Sequence, residues 1–175
     1  MVELDFASLL SRYKMGEREF KGCVVHAVDG FECNLRDIDL SASVLIKAYL
    51  PYSNLSQAKL VGSTAQKAAL GDIKLFSANL SNAILAGSDL SRADLRYACL
   101  KGADLKATNL SGADLQGADL TGADLTGSLL SNVNLAQAIL AQTCLREATL
   151  FRSTGADLRL AICDRTTILP DGHHY

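Results

Sequence analysis

Apolar residues return every five positions along most of the chain. Of the 24 multiples of five from Leu35 to Leu150, 23 are Leu, and Ala65 alone breaks the series. With that position called i, the residue at i−2 is Ala in 13 cases and Ser in five. Cys33, Ile38, Ile73, Thr108, Val133 and Thr143 complete the set. Position i−1 is Asp or Asn in 12 of the 24. The run Gly112-Ala113-Asp114-Leu115-Gln116-Gly117-Ala118-Asp119-Leu120 shows the unit without interruption. A period of five fits neither regular element. In an α-helix, with about 3.6 residues per turn, it scatters Leu around every face. In a strand, where side chains alternate, residues five apart face opposite sides. Five residues do accommodate a short extended side followed by a corner. There i and i−2 point the same way, so Leu and a small partner line a narrow interior while three positions face water.

One such unit cannot fold alone. Burying one Leu and one Ala contributes roughly 2–4 kcal/mol at ~25 cal/mol per Å². Ordering five residues costs about 5–10 kcal/mol of backbone entropy. Stacked copies must add ladder hydrogen bonds and close the core above and below, which predicts a solenoid that unfolds cooperatively.

The Ala-(Asp/Asn)-Leu-x-Gly run resembles the pentapeptide repeat proteins, in the style of their cyanobacterial members. The resemblance covers about residues 18–169. It implies a mainly β fold, a right-handed quadrilateral parallel β-helix with four pentapeptides per coil. The 24 regular repeats then make six coils, about 29 Å long at ~4.8 Å per rung.

Both ends depart from the frame. Phe6, Leu9, Leu10 and Tyr13 form one apolar helical stripe, so residues 3–15 are expected to be an α-helix within an N-terminal cap, 1–17. Glu3 and Asp5 then favour its N-terminus, Arg12 and Lys14 its C-terminus, and Gly16 its end. The β-helix is expected over 18–169, regular over 33–150. Phe20 and Val25 keep the phase, Gly30 does not, and a local slip puts Phe31 in its place. After Leu150 the phase moves by three, so a bulged corner is expected at Phe151–Gly155, within a slip over 151–157. Leu158, Cys163 and Ile168 resume the spacing, and 170–175 is a tail. Inside the column, Ala65 leaves a gap, and Ile73, oversized for i−2, is expected to lean into it.

Composition sharpens this picture. Leu and Ala number 30 and 24 of 175 residues and Trp is absent, as a narrow core of one large and one small side chain requires. A net charge of −2 excludes a strongly basic nucleic-acid binder. The acidic N-terminus and the lack of a long apolar window make the cytoplasm the expected compartment, with no membrane span. The five cysteines have no CxxC spacing, and most sit where small core residues do.

No catalytic or cofactor motif is present, and the His173-His174 pair is read as solvated, so no enzyme, cofactor or metal is expected. Asp at i−1 and Gly at i+2 are read as corner residues. The candidate partner surface is therefore the outward apolar set Val44, Tyr49, Tyr52, Phe76, Ile84 and Tyr97. Lys47 and Lys67, twenty apart, are expected to stack on one corner. The expected function is a protein-interaction scaffold, monomeric or paired end to end through its C-terminal end. The resemblance raises an alternative, a DNA-mimicking modulator of a type II topoisomerase (gyrase). Such mimicry needs a long negative surface, whereas residues 40–71 hold three lysines and no acid.

Overall fold

The computed structural model describes all residues, Met1–Tyr175. Through Asn134, each residue at i−1 bridges in parallel to the residue twenty further on, as in Asn34↔Asn54, Asp39↔Lys59, Val44↔Thr64 and Tyr49↔Ala69. Four such series wind around one axis and make a four-sided column. We name its sides the Asp39, Val44, Tyr49 and Asn54 faces, in that order around the coil. Of 116 backbone–backbone hydrogen bonds, 105 lie outside the helix and named strands, so short rungs rather than long strands hold the coils together. Through the regular coils the Leu N–H donates to the carbonyl 19 residues on, for example Leu95 to Asp114 at 2.8 Å, and the i−1 N–H donates to the carbonyl 21 residues back, as Asp94 to Ile73 at 2.9 Å.

The corners explain the rest of the repeat. The N–H at i−2 bonds to the preceding Leu carbonyl, as Ala98 to Leu95 at 3.1 Å, closing a β-turn. The second corner residue has positive φ whether or not it is Gly, with nineteen non-glycine examples between 50° and 62°. Each of these carries a strain of about 1 kcal/mol that Gly avoids. Side-chain oxygens of Asp or Asn at i−1 accept from the N–H two residues on, as Ser91 N to Asp89 and Thr121 N to Asp119, both at 3.0 Å. Buried hydroxyls at i−2 find carbonyl acceptors, as Ser88 donates to Ala65 O and Thr143 to Leu120 O, each at 2.8 Å, with Ser153 Oγ the exception.

The N-terminal cap begins with a strand, not a helix. Strand β1, Val2–Asp5, pairs in parallel with β2, Cys23–His26, which in turn pairs with β3, Val44–Leu45. An extended β1 gives the open edge of the Val44 face a partner, which a helix over residues 3–15 does not. Helix α1 is therefore confined to Phe6–Lys14, with Asp5 as its N-cap accepting from Ser8 N at 2.9 Å. Its stripe packs inward as expected, Phe6 and Leu9 buried and Leu10 and Tyr13 partly so.

No slip occurs at Gly30. Its N–H keeps register with Tyr49 O at 2.8 Å, and Phe31 points outward, 52% exposed. A Cβ on Gly30 would lie 2.6 Å from Leu50 Cδ2, 2.7 Å from Phe6 Cζ and 2.9 Å from Cys33 Sγ. Phe6 from the cap therefore fills the space of the missing Leu. At the other end the corner Phe151–Arg152 is regular, and Thr154 still bridges Asn134. The irregularity starts later, at Gly155, because the next bridges, Cys144↔Ile162 and Thr149↔Ile168, span fewer residues. An antiparallel bridge between Ile168 and His174 folds the C-terminal tail back over the last coil.

Ala65 and Ile73 both line an apolar void of about 20 Å³, together with Leu45, Leu60, Leu70 and Leu85. Ile73 reaches the gap without filling it.

Two outcomes follow for urea unfolding. Gly30→Leu, although it restores the repeat, is expected to lose about 2 kcal/mol by overpacking, and Phe6→Ala about 3–4 kcal/mol. The double variant should lose less than the sum, and strict additivity would mean that the two residues do not share one space. Ala65→Leu is expected to gain about 1 kcal/mol by filling the void, and a loss would show that Ile73 already takes the room.

Candidate functional site

With the inward positions committed to packing, recognition falls to the outward residues. The six candidates do not form one surface. Val44 and Ile84 lie on one face, joined through Thr64. Tyr49 lies on the next face and Tyr52 on the corner beyond it. Phe76 and Tyr97 meet edge to face at 5.8 Å between ring centres, on the far border of the Asn54 face. Tyr52 has a partner that sequence reasoning missed, Phe31, edge to face at 5.7 Å. The signal was present, since residues 31 and 52 are the first and second residues of the same corner in successive coils. Two aromatic pairs thus border the Asn54 face, and Tyr52 and Tyr97 are 52% and 53% exposed.

Neighbouring side chains hold these rings. Arg96 sits 5.5 Å from the centre of Phe76 and forks onto Asp94 through Nε and Nη2, both at 2.8 Å. Gly117 lies directly against Tyr97, where a Cβ would come within 2.6 Å of the ring. Along the Tyr52 corner, Arg92 pairs with Asp72 one coil below at 2.8 Å.

Most carboxylates are committed to such pairs. Lys101–Asp119 and Lys106–Asp124 each span 3.0 Å. Asp39, only 2% exposed, lies between Lys21 at 3.3 Å and Lys59 at 3.6 Å. Burial acts to raise the Asp39 pKa, but hydrogen bonds from Ser41 and Lys21 outweigh it and leave it lowered. The same balance lowers Asp119 and Asp124, through Thr121 with Lys101 and Thr126 with Lys106. Hydrogen bonds from Arg92 and Arg96 lower Asp72 and Asp94, and Arg159 brings Asp157 down to about 2.

Other titratable groups stay apart. No group of three or more His, Cys, Asp or Glu is placed to hold a metal ion. All five cysteines are free: Cys23, Cys33 and Cys163 sit at inward positions, while Cys99 and Cys144 take the outward Asp position beside Ser81 and Thr126. His173 and His174 are exposed, and His26 contacts Glu3 across the β1–β2 pair. The largest cleft, about 380 Å³, lies between α1 and the first coil and is lined by Leu10, Tyr13, Lys14, Cys33 and Asn34. No helix is long and apolar enough to cross a membrane.

These carboxyls are held below the ordinary aspartate value of 3.8 in the folded chain. Their stabilisation is therefore complete above that value and is lost as pH falls through the lowered ones. Tm is expected to hold level from neutral pH to about 5, then drop steeply toward pH 2. A Tm that rises on acidification would oppose the assignment.

The family described as Pentapeptide repeats matches in eight copies, over residues 31–64, 73–112 and 113–150. No curated protein matches the chain in sequence. Among solved structures it is similar to HetL, a pentapeptide repeat protein involved in heterocyst differentiation regulation from the cyanobacterium Nostoc sp. strain PCC 7120. That match is 26% identical over 98% of this chain and 99% of the other, with a TM-score of 0.44. It is similar also to alr5209 from Nostoc, 31% identical over 90% and 93% of the two chains, TM-score 0.44. A third likeness is to AT2G44920 from the Arabidopsis thaliana thylakoid lumen, 27% identical over 61% and 69%, TM-score 0.43. With the family matched over most of its length and the repeat visible in every coil, the chain belongs to the pentapeptide repeat family.

Proposed function

We propose that this chain is a non-enzymatic scaffold that docks a protein partner on its side faces. The observation that carries the reading is the pair of aromatic borders on the Asn54 face, Phe31 with Tyr52 and Phe76 with Tyr97. Large rings held half-exposed beside an arginine are what concentrate binding energy at protein interfaces. Titratable side chains engaged in ion pairs and corner bonds support the same reading. It is a cytoplasmic reading, in which the five thiols stay reduced.

The charge layout weighs against a DNA-mimicking topoisomerase modulator. Such a surface needs uninterrupted negative charge along its length. Here Arg92, Arg96, Lys101 and Lys106 each neutralise a carboxylate on the column.

End-to-end pairing through the C-terminal end has its own support. Leu160 is 73% and Ile162 41% exposed there, beside a cleft of about 200 Å³ lined by Ile139 and Leu140. The Leu140 N–H has no main-chain acceptor, which leaves an edge open to another strand. Mass by light scattering decides between the pair and the monomer.

The scaffold reading is tested by a photo-reactive residue placed at position 97 and, as a control, at Thr126. The first is expected to crosslink one discrete protein in the native cell and the second none. Alanine at Phe76 should weaken that capture about tenfold. Crosslinks spread evenly over both positions would overturn the reading, as would inhibition of gyrase supercoiling by the purified chain.

A further inference from the structure

We infer that the Val44 face, over the coils spanning residues 44–86, docks an extended protein segment that is both acidic and aliphatic. The inference rests on the scaffold reading and names the chemistry of one partner. Three departures from the repeat coincide on this part of the column.

The first is apolar. Consecutive rungs carry Val24, Val44, Thr64 and Ile84 outward, where the next two carry Asp104 and Asp124. Ile46 and Val61, partly exposed at the corners on either side, widen the stripe.

The second is charge. Lys47 and Lys67 occupy one corner of this face in adjacent coils, and residues 40–71 contain no acid. Lys59, Lys101 and Lys106 each reach a carboxylate, whereas no ion pair involves Lys47 or Lys67. Both lie at positive φ, and the Lys67 stem rests on Gly87, its Cγ 3.4 Å from where a Cβ would stand. Like charges about one rung apart, ~4.8 Å, repel. A carboxylate-bearing occupant relieves that repulsion.

The third lies in the core. The void of about 20 Å³ at Ala65 lies on the column axis, lined from all four sides, within the same coils as the stripe. Residues 65–72 are also the stretch that separates two of the segments matched to the family. The one missing Leu belongs to the Val44 face, so the irregular core position and the irregular outward stripe share that side.

The occupant follows from these features. An extended segment turns alternate side chains to one side, so aliphatic residues meet the Val44–Ile84 stripe while acids reach Lys47 and Lys67. A duplex nucleic acid would ask for many phosphate contacts, and two lysines do not supply them.

A random peptide library displayed on phage and panned on the full chain, with every enriched peptide then measured on K47E/K67E, tests the inference. Circular dichroism first confirms that both proteins fold alike. The enriched peptides are expected to alternate acidic and aliphatic residues. They should bind the parent about tenfold more tightly than K47E/K67E, and more weakly as salt rises. Peptides without acids, or equal binding to both proteins, would overturn it. Peptides lost by Y52A/Y97A but kept by K47E/K67E would sink this face assignment and leave the scaffold reading standing. Recovery of no binding peptide counts against both. Sedimentation with phosphatidylserine vesicles that depends on Lys47 and Lys67 would reassign the face to a membrane surface and also overturn the inference.

Discussion

Everything in this column depends on the backbone bonds that tie each coil to the next at twenty-residue spacing. They hold each side to three extended residues, because a longer side would break the square register. Three residues with alternating side chains put two inward and one outward. The width left between four such sides admits one Leu and one small residue per side, which explains the Leu and Ala excess. The corners carry the cost. Nineteen non-glycine residues with positive φ are tolerated because the rungs on either side fix the turn.

Much of the fold was legible because this constraint is local and repeated. The five-residue period, the inward pair, the corner role of Asp and the apolar stripe of α1 all reflect interactions within or between neighbouring repeats. The misreadings lie where one residue answers to another far away in sequence. Gly30 looked like a lost register because nothing near it supplies the missing Leu, and Phe6, from the cap, does so in space. Val2–Asp5 carries helix-favouring neighbours and acids, yet an unpaired sheet edge at Cys23–His26 draws it into a strand. Gly155, not Phe151, begins the irregular coil, because Thr154 still has Asn134 to pair with.

The candidate site was legible in position but not in grouping. Outward residues were assignable from their phase, Phe31 excepted, and the twenty-residue coil then gives the face. The separation of Val44 and Ile84 from the tyrosines follows from that arithmetic alone. What phase does not give is engagement. Arg96 over Phe76, Asp72 under Arg92 and Phe31 against Tyr52 depend on side-chain reach across a corner. So does the contrast between Lys59, which finds Asp39, and Lys67, which finds no carboxylate.

That contrast shows where function is to be sought in a repeat of this kind. The core absorbs two of every five positions into stability, and deviations there are repaired from within, as Phe6 repairs Gly30. An outward residue has no such obligation, so its identity is informative only when its own neighbours leave it unsatisfied. Most carboxylates here fail that criterion, because a cation or a corner N–H already engages them. The aromatic borders of the Asn54 face and the bare lysines of the Val44 face meet it. The Phe76–Tyr97 border and the lysines lie on diagonally opposite corners of the column, so one rigid column can hold two partners at a separation set by its own width. The narrow core that silences most of the sequence is thus what gives the few unsatisfied residues a fixed geometry.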